Sequence, residues 1–214
     1  MPGEFNRIDL EIVLCNFEKI NEEKMNSKKY QTAGWLSIAN AVLTVPTIAL
    51  GFLLVYFARS SLMVNLLQIL LSISFCALGV YILYIFKDLL NARYQFHIAD
   101  NLILALIWIN IFFTITGLPK YIIPEGGIVK LTLDIIGVVL FYLMGIITVI
   151  FGIRILKLKD DLFGLLKPFA YMHIVSGVCI MSILLLPFGL LAAVTAYIIQ
   201  GIIFLRAAED LEFV

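Results

Sequence analysis

Charge is scarce in this chain. Asp, Glu, Lys and Arg make up 14% of the residues, and apolar side chains make up 62%. A soluble domain carries nearer a quarter charged and about half apolar, so this composition excludes an ordinary aqueous fold and calls for lipid as solvent. The few charges also cancel, fifteen basic against fifteen acidic. No long-range field is left to draw in nucleic acid or an acidic substrate, and no nucleic-acid partner is expected.

Cysteine and histidine are few as well. Cys15, Cys76 and Cys179 are odd in number, and none lies in a CxxC or zinc-type spacing. A disulfide framework and a structural zinc are therefore not expected. Cys76 and Cys179 fall within apolar runs, where a thiol behaves as a small apolar side chain. No short basic region followed by an apolar core opens the sequence, so no cleavable signal peptide is expected. G-x-G-x-x-G, P-loop, H-E-x-x-H and G-x-S-x-G patterns are missing too. "PEGG" at 124–127 reads only as a turn. The expectation is a protein that is not an enzyme.

What is present is apolar length. About 20 apolar residues make a membrane-spanning helix, and six stretches meet or approach that: 33–57, 62–86, 101–118, 131–153, 169–186 and 190–205. The last two are short, with "LLPFGLL" between them, and Pro187 and Gly189 predict a tight turn there. The fold class read from this pattern is an all-α integral membrane protein, a six-helix transmembrane bundle of three hairpins. An N-terminal segment (1–31) precedes the bundle (32–208), and a short tail (209–214) follows.

Lys and Arg set the orientation. Twelve fall before span one, between two and three, between four and five, or after six; only Arg59, Lys120 and Lys130 fall on the other side. By the positive-inside rule both termini face the cytoplasm. The expected location is a bacterial cytoplasmic (inner) membrane. The lipid bilayer is the first partner, with a membrane complex or a second copy as further partners.

The connectors carry amphipathic patterns. In "KLKDDLFGLLKPFAYMHIVSG" (157–177), Leu158, Leu162, Leu165 and Leu166 recur at helical spacing. This predicts a short interfacial helix that Pro168 ends. Leu89, Leu90 and Tyr94 suggest the same for 87–100. Near the N-terminus, Leu10, Val13, Leu14, Phe17 and Ile20 form an apolar stripe among charges, predicting an amphipathic helix. "KKYQTAGW", "RYQFHIADN" and "PFAYMHIVSG" share an aromatic followed by small or polar residues, which would fit three duplicated hairpins.

Within the spans, ionisable groups mark function by default. Only Asp134 and His173 qualify, and Lys130, four residues before Asp134, predicts a same-helix ion pair. Asn40, Asn65, Gln68, Asn110 and Gln200 read as interhelical hydrogen-bonding groups; Asp134, Asn110 and Gln200 form a candidate intramembrane polar site. Ala33, Ser37 and Ala41, then Gly137, Gly145 and Gly152, then Ala192 and Ala196, form small-residue seams for close helix packing. His97 and His173 both precede odd-numbered spans. At equal depth the pair would ligate a haem b iron, with Arg154 or Arg206 at the propionates.

Three functional readings follow. The first is a non-enzymatic accessory, assembly or interaction subunit without a cofactor. The second is a small transporter or channel, which requires the polar residues to converge on a cavity. The third is a haem b electron carrier built on His97 and His173.

Overall fold

The computed structural model describes the backbone of residues 7–57, 62–123 and 127–212; the side chains of 7–24, 51–57, 62, 183 and 212 lie outside the described set. Six α-helices account for nearly all of it: α1 Arg7–Phe57, α2 Leu62–Tyr94, α3 Asp100–Gly117, α4 Ile128–Ile155, α5 Leu166–Met181 and α6 Leu186–Glu212. Short 3-10 turns at His97–Ala99, Leu118–Tyr121, Leu162–Gly164 and Ile183–Leu185 join them, and there is no strand among the described residues.

Five helices contain stretches long and apolar enough to cross a membrane, and α5 is apolar but shorter. Its 16 residues span about 24 Å at 1.5 Å each. The expected fifth span ran to 186, whereas the chain reverses at Ser182, which takes an extended φ/ψ of −103°/105°. Proline explains the shift. Pro187 sits in the first turn of α6, where a missing N–H leaves nothing unpaired, so it opens a helix instead of making the turn. Gly189 lies inside α6, close against Cys179; a Cβ there would fall 2.9 Å from the Cys179 Cβ.

Pro168 behaves in the same way. It lies in the first turn of α5, and the expected interfacial helix over 158–166 does not form. The segment is a turn in which Leu162, Phe163 and Gly164 all take positive φ (42°, 61° and 81°). Its leucines are apolar because they enter the core: Leu158, Leu162 and Leu166 are buried. Leu89 and Leu90 are likewise fully buried, on a continuation of α2 to Tyr94. The N-terminal stripe Leu10 to Ile20 has side chains outside the described residues; the backbone there is helical and runs unbroken through residue 31 into the first apolar stretch.

Each helix packs on its neighbours in sequence, and α6 returns to pack on α1, closing a ring. The seams place the backbones in contact. On α1 and α6 the antiparallel register pairs Gly34 with Gly201, Ser27 with Ala208 and Ser37 with Tyr197. Ser37 Oγ donates to the Tyr197 carbonyl at 2.8 Å, and Ser27 Oγ to that of Ala208 at 3.3 Å. Ala33, Ser37 and Ala41 are buried in this seam. Between α4 and α5, Gly145 faces Gly177 and Gly152 faces Ala170, with a Cβ on Gly152 falling 2.7 Å from the Ala170 carbonyl. Gly137 departs from the expected seam, lying instead beside the Lys120 ammonium. Without a hydrophobic drive between helices in lipid, such close contact is what holds them together.

The two ends of the ring differ. At the basal end, which holds the α2–α3 and α4–α5 connectors and the end of α6, the centre is solid. Phe86 (α2) lies 5.1 Å from Phe169 (α5), 6.0 Å from Phe204 (α6) and 6.3 Å from Phe151 (α4), centroid to centroid. Tyr30 of α1 stacks on Phe204 at 6.5 Å, and Ile103 of α3 completes the packing. Ion pairs rim this end: Lys29 with Asp88 at 2.8 Å, and Arg93 with Asp210. At the opposite, apical end the centre is hollow. Outward faces are apolar, including Trp35, Leu70, Trp108 and Val138, as contact with lipid requires.

Candidate functional site

The hollow is a cavity of about 440 Å³ to which all six helices contribute. A smaller one of about 150 Å³ lies basal to it, and Asn110, Met144, Ile180, Ala193 and Tyr197 line both. The two are therefore an outer and an inner part of one chamber. Its wall is a set of helical stripes. Asn40 and Thr44 lie on α1; Ser72, Cys76 and Gly79 on α2; Asn110, Thr114 and Gly117 on α3. Met144 and Thr148 of α4, His173, Ser176 and Ile180 of α5, and Ala193, Tyr197 and Gln200 of α6 continue it inward. Spacings of three, four and seven residues put each set on one helix face. The lining reaches Gly117, Tyr121 and Leu186 at the apical end.

Hydrogen bonds tie much of this wall to its own backbone. Thr44 Oγ1 donates to the Asn40 carbonyl at 2.6 Å, Thr114 Oγ1 to that of Asn110 at 2.9 Å, and Thr148 Oγ1 to that of Met144 at 2.7 Å. His173 Nδ1 lies 2.9 Å from the Phe169 carbonyl. A carbonyl only accepts, so Nδ1 carries a proton, and in the neutral ring Nε2 is an acceptor. The imidazole also packs on Phe169 and Phe151, at 4.3 and 5.1 Å between centroids. It thus forms the boundary between chamber and aromatic floor. The side-chain carbonyl Oδ1 of Asn40 is buried without a hydrogen-bond partner.

The sequence-derived candidates divide. Asn110 and Gln200 meet at the inner chamber, and Asn40 joins them in the outer part. Asp134 does not. It is exposed at the apical rim and pairs at 2.9 Å with Lys120 of the α3–α4 connector. That cross-connector ion pair was not among the expectations, which placed Lys130 beside Asp134. Asn65 and Gln68 are not among the described lining residues. The histidines are not brought to a common cavity. His97 is on the α2–α3 connector, 70% exposed, with Nδ1 3.3 Å from Asp100, while His173 lines the inner chamber. Two ligands for one haem iron must face each other across it, and this pair does not fit that requirement. Arg206 is engaged elsewhere, donating to the Phe163 carbonyl at 2.7 Å.

Sequence reasoning missed Thr148 and Ser176 as lining residues, because Ser and Thr hydroxyls in apolar helices ordinarily bond to their own turn, and it missed Tyr197, whose ring reads as apolar packing. The available signal was periodicity: His173 with Ser176, and Tyr197 with Gln200, each three residues apart within largely apolar stretches of α5 and α6. No family model, curated protein or solved structure matches the chain.

Proposed function

We propose that this protein is a multi-pass carrier of an uncharged solute in a bacterial cytoplasmic membrane, with both termini on the cytoplasmic side. One observation carries the reading: uncharged polar groups from the helices converge on a central chamber that reaches the apical end and stops at an aromatic floor. An accessory bundle needs no polar chamber, and its walls would gain dispersion contacts by collapsing. The twelve-to-three division of Lys and Arg supports the orientation, which makes the floor the cytoplasmic gate. Asp, Glu, Lys and Arg do not occur among the described lining residues. His173 is the one titratable imidazole on the described lining, and its ring is held by the Phe169 carbonyl and the aromatic floor, which favours a neutral solute moving down its own gradient over ion coupling.

Passage requires the phenylalanine floor to part. The carrier alternates between the form described here and one in which Phe86, Phe169 and Phe204 separate while the apical ends of the helices close. The test is uptake of radiolabelled erythritol and phenyl glucoside into liposomes containing the purified protein, with benzoate and choline as charged controls. Protein-dependent uptake of at least one neutral solute is expected. Ala193→Phe, which fills the junction of the two chambers, should abolish it. Uptake that is equal with and without protein would reject the carrier reading.

A further inference from the structure

Several protons of the chamber wall are committed already, while the amides of Asn40, Asn110 and Gln200 and the hydroxyls of Ser72, Ser176 and Tyr197 can both donate and accept. Thr44, Thr114 and Thr148 donate to carbonyls of their own helices, so the polar capacity left on each hydroxyl is that of an acceptor. His173 spends its Nδ1 proton on Phe169, and the Cys76 thiol lies 3.9 Å from the Asn110 carbonyl as a donor. Asn40 is 4% exposed, lines the chamber, and holds a side-chain oxygen without a partner. A buried acceptor left unpaired is costly, and because this oxygen is itself buried, a turn about the side-chain torsion would be needed to bring it to the chamber. Phe75, Phe113, Phe141 and Met144 make the rest of the outer wall apolar. A full ionic charge would find no counter-charge on the wall and would lose its hydration on entering.

We propose that the chamber binds an uncharged small molecule with an apolar body and a hydrogen-bond donor, and that Asn40 Oδ1 accepts from that donor. This deepens the carrier reading and rests on the same chamber. Binding is measured separately from uptake, so the two fail independently: a discriminating site without flux would be a receptor pocket, not a carrier.

The experiment uses the full chain in detergent and three probes read by equilibrium dialysis. Indole carries a single N–H donor. 1-Methylindole keeps the shape and loses the donor. Tryptamine adds a positive charge at neutral pH. Indole should bind about ten-fold more tightly than 1-methylindole, the effect of one buried acceptor gaining or lacking its donor, and tryptamine should bind more weakly than indole. Asn40→Leu should bring the two indoles to within about two-fold of each other. Thr195→Val, an exposed position of α6 whose hydroxyl bonds to the Leu191 carbonyl outside the chamber lining, should leave the preference in place. Equal affinity for the two indoles in the parent, tighter binding of tryptamine, or binding of none of the three would overturn the proposal. A preference that survives Asn40→Leu would overturn the assignment to Asn40.

Discussion

Gly145 and Gly177 lie backbone against backbone. A Cβ on Gly177 would fall 2.6 Å from the Gly145 carbonyl oxygen, and one on Gly145 would fall 3.0 Å from that of Gly177. Neither helix has room for a side chain at this level, so the separation of α4 and α5 is set by the two glycines. Gly177→Val should therefore force the helices apart and cost about 1–3 kcal/mol, the usual range for overpacking. The expected result is a lowered Tm in detergent. Gly117→Ala, where a Cβ meets nothing within 4 Å, serves as the neutral control.

The orientation has its own test. Reporters placed in the α1–α2 and α3–α4 connectors should read external, and those in the α2–α3 connector and at the C-terminus internal. An external C-terminus would mean that the short α5 does not cross, leaving the five longer helices as the spans.

The ion pair of Lys120 and Asp134 should be nearly silent. The two side chains are 27% and 52% exposed, and such pairs contribute about 0–1 kcal/mol. Asp134→Asn is expected to keep the Tm within about 2 °C of the parent and to leave neutral-solute uptake unchanged. A proton flux lost in this variant would restore Asp134 as a coupling residue.

The left-handed turn at 162–164 depends on its dock. The Phe163 carbonyl accepts from Arg206, and its ring lies under the Arg93 guanidinium at 4.9 Å. Non-glycine residues at positive φ hold that geometry against a cost of about 1–2 kcal/mol each. Arg206→Met keeps the stem and removes the donor. Hydrogen exchange over 159–165 should speed up in this variant while exchange in α3 stays as in the parent.

The spans were legible because hydropathy is a one-dimensional property: α1, α2, α4 and α6 each contain the stretch expected of them, and α3 falls one residue short. The connectors were not, because leucines at helical spacing look alike on a surface helix and in a core turn. Leu158 and Leu162 are buried by the floor aromatics' neighbours, which only the folded ring supplies. Convergence was hidden for a related reason. Asn40, Asn110 and Gln200 lie on different helices, and the rotation of each helix about its axis is fixed by seams such as Gly34 on Gly201. Those two glycines are isolated in sequence, so no repeat announced them. The Asp134 partner was misjudged because a neighbour four residues away is always visible in sequence, whereas a connector folding back is not.

The contact between α1 and α6 is the most extensive among the described helices, and it joins the first of the six to the sixth. During synthesis α1 must wait in the membrane, its small-residue face unmatched, while four further helices emerge. The ring then closes in one late step, when Gly201 arrives opposite Gly34. Until that moment the chamber has no sixth wall, so its enclosure waits on the last of the six helices.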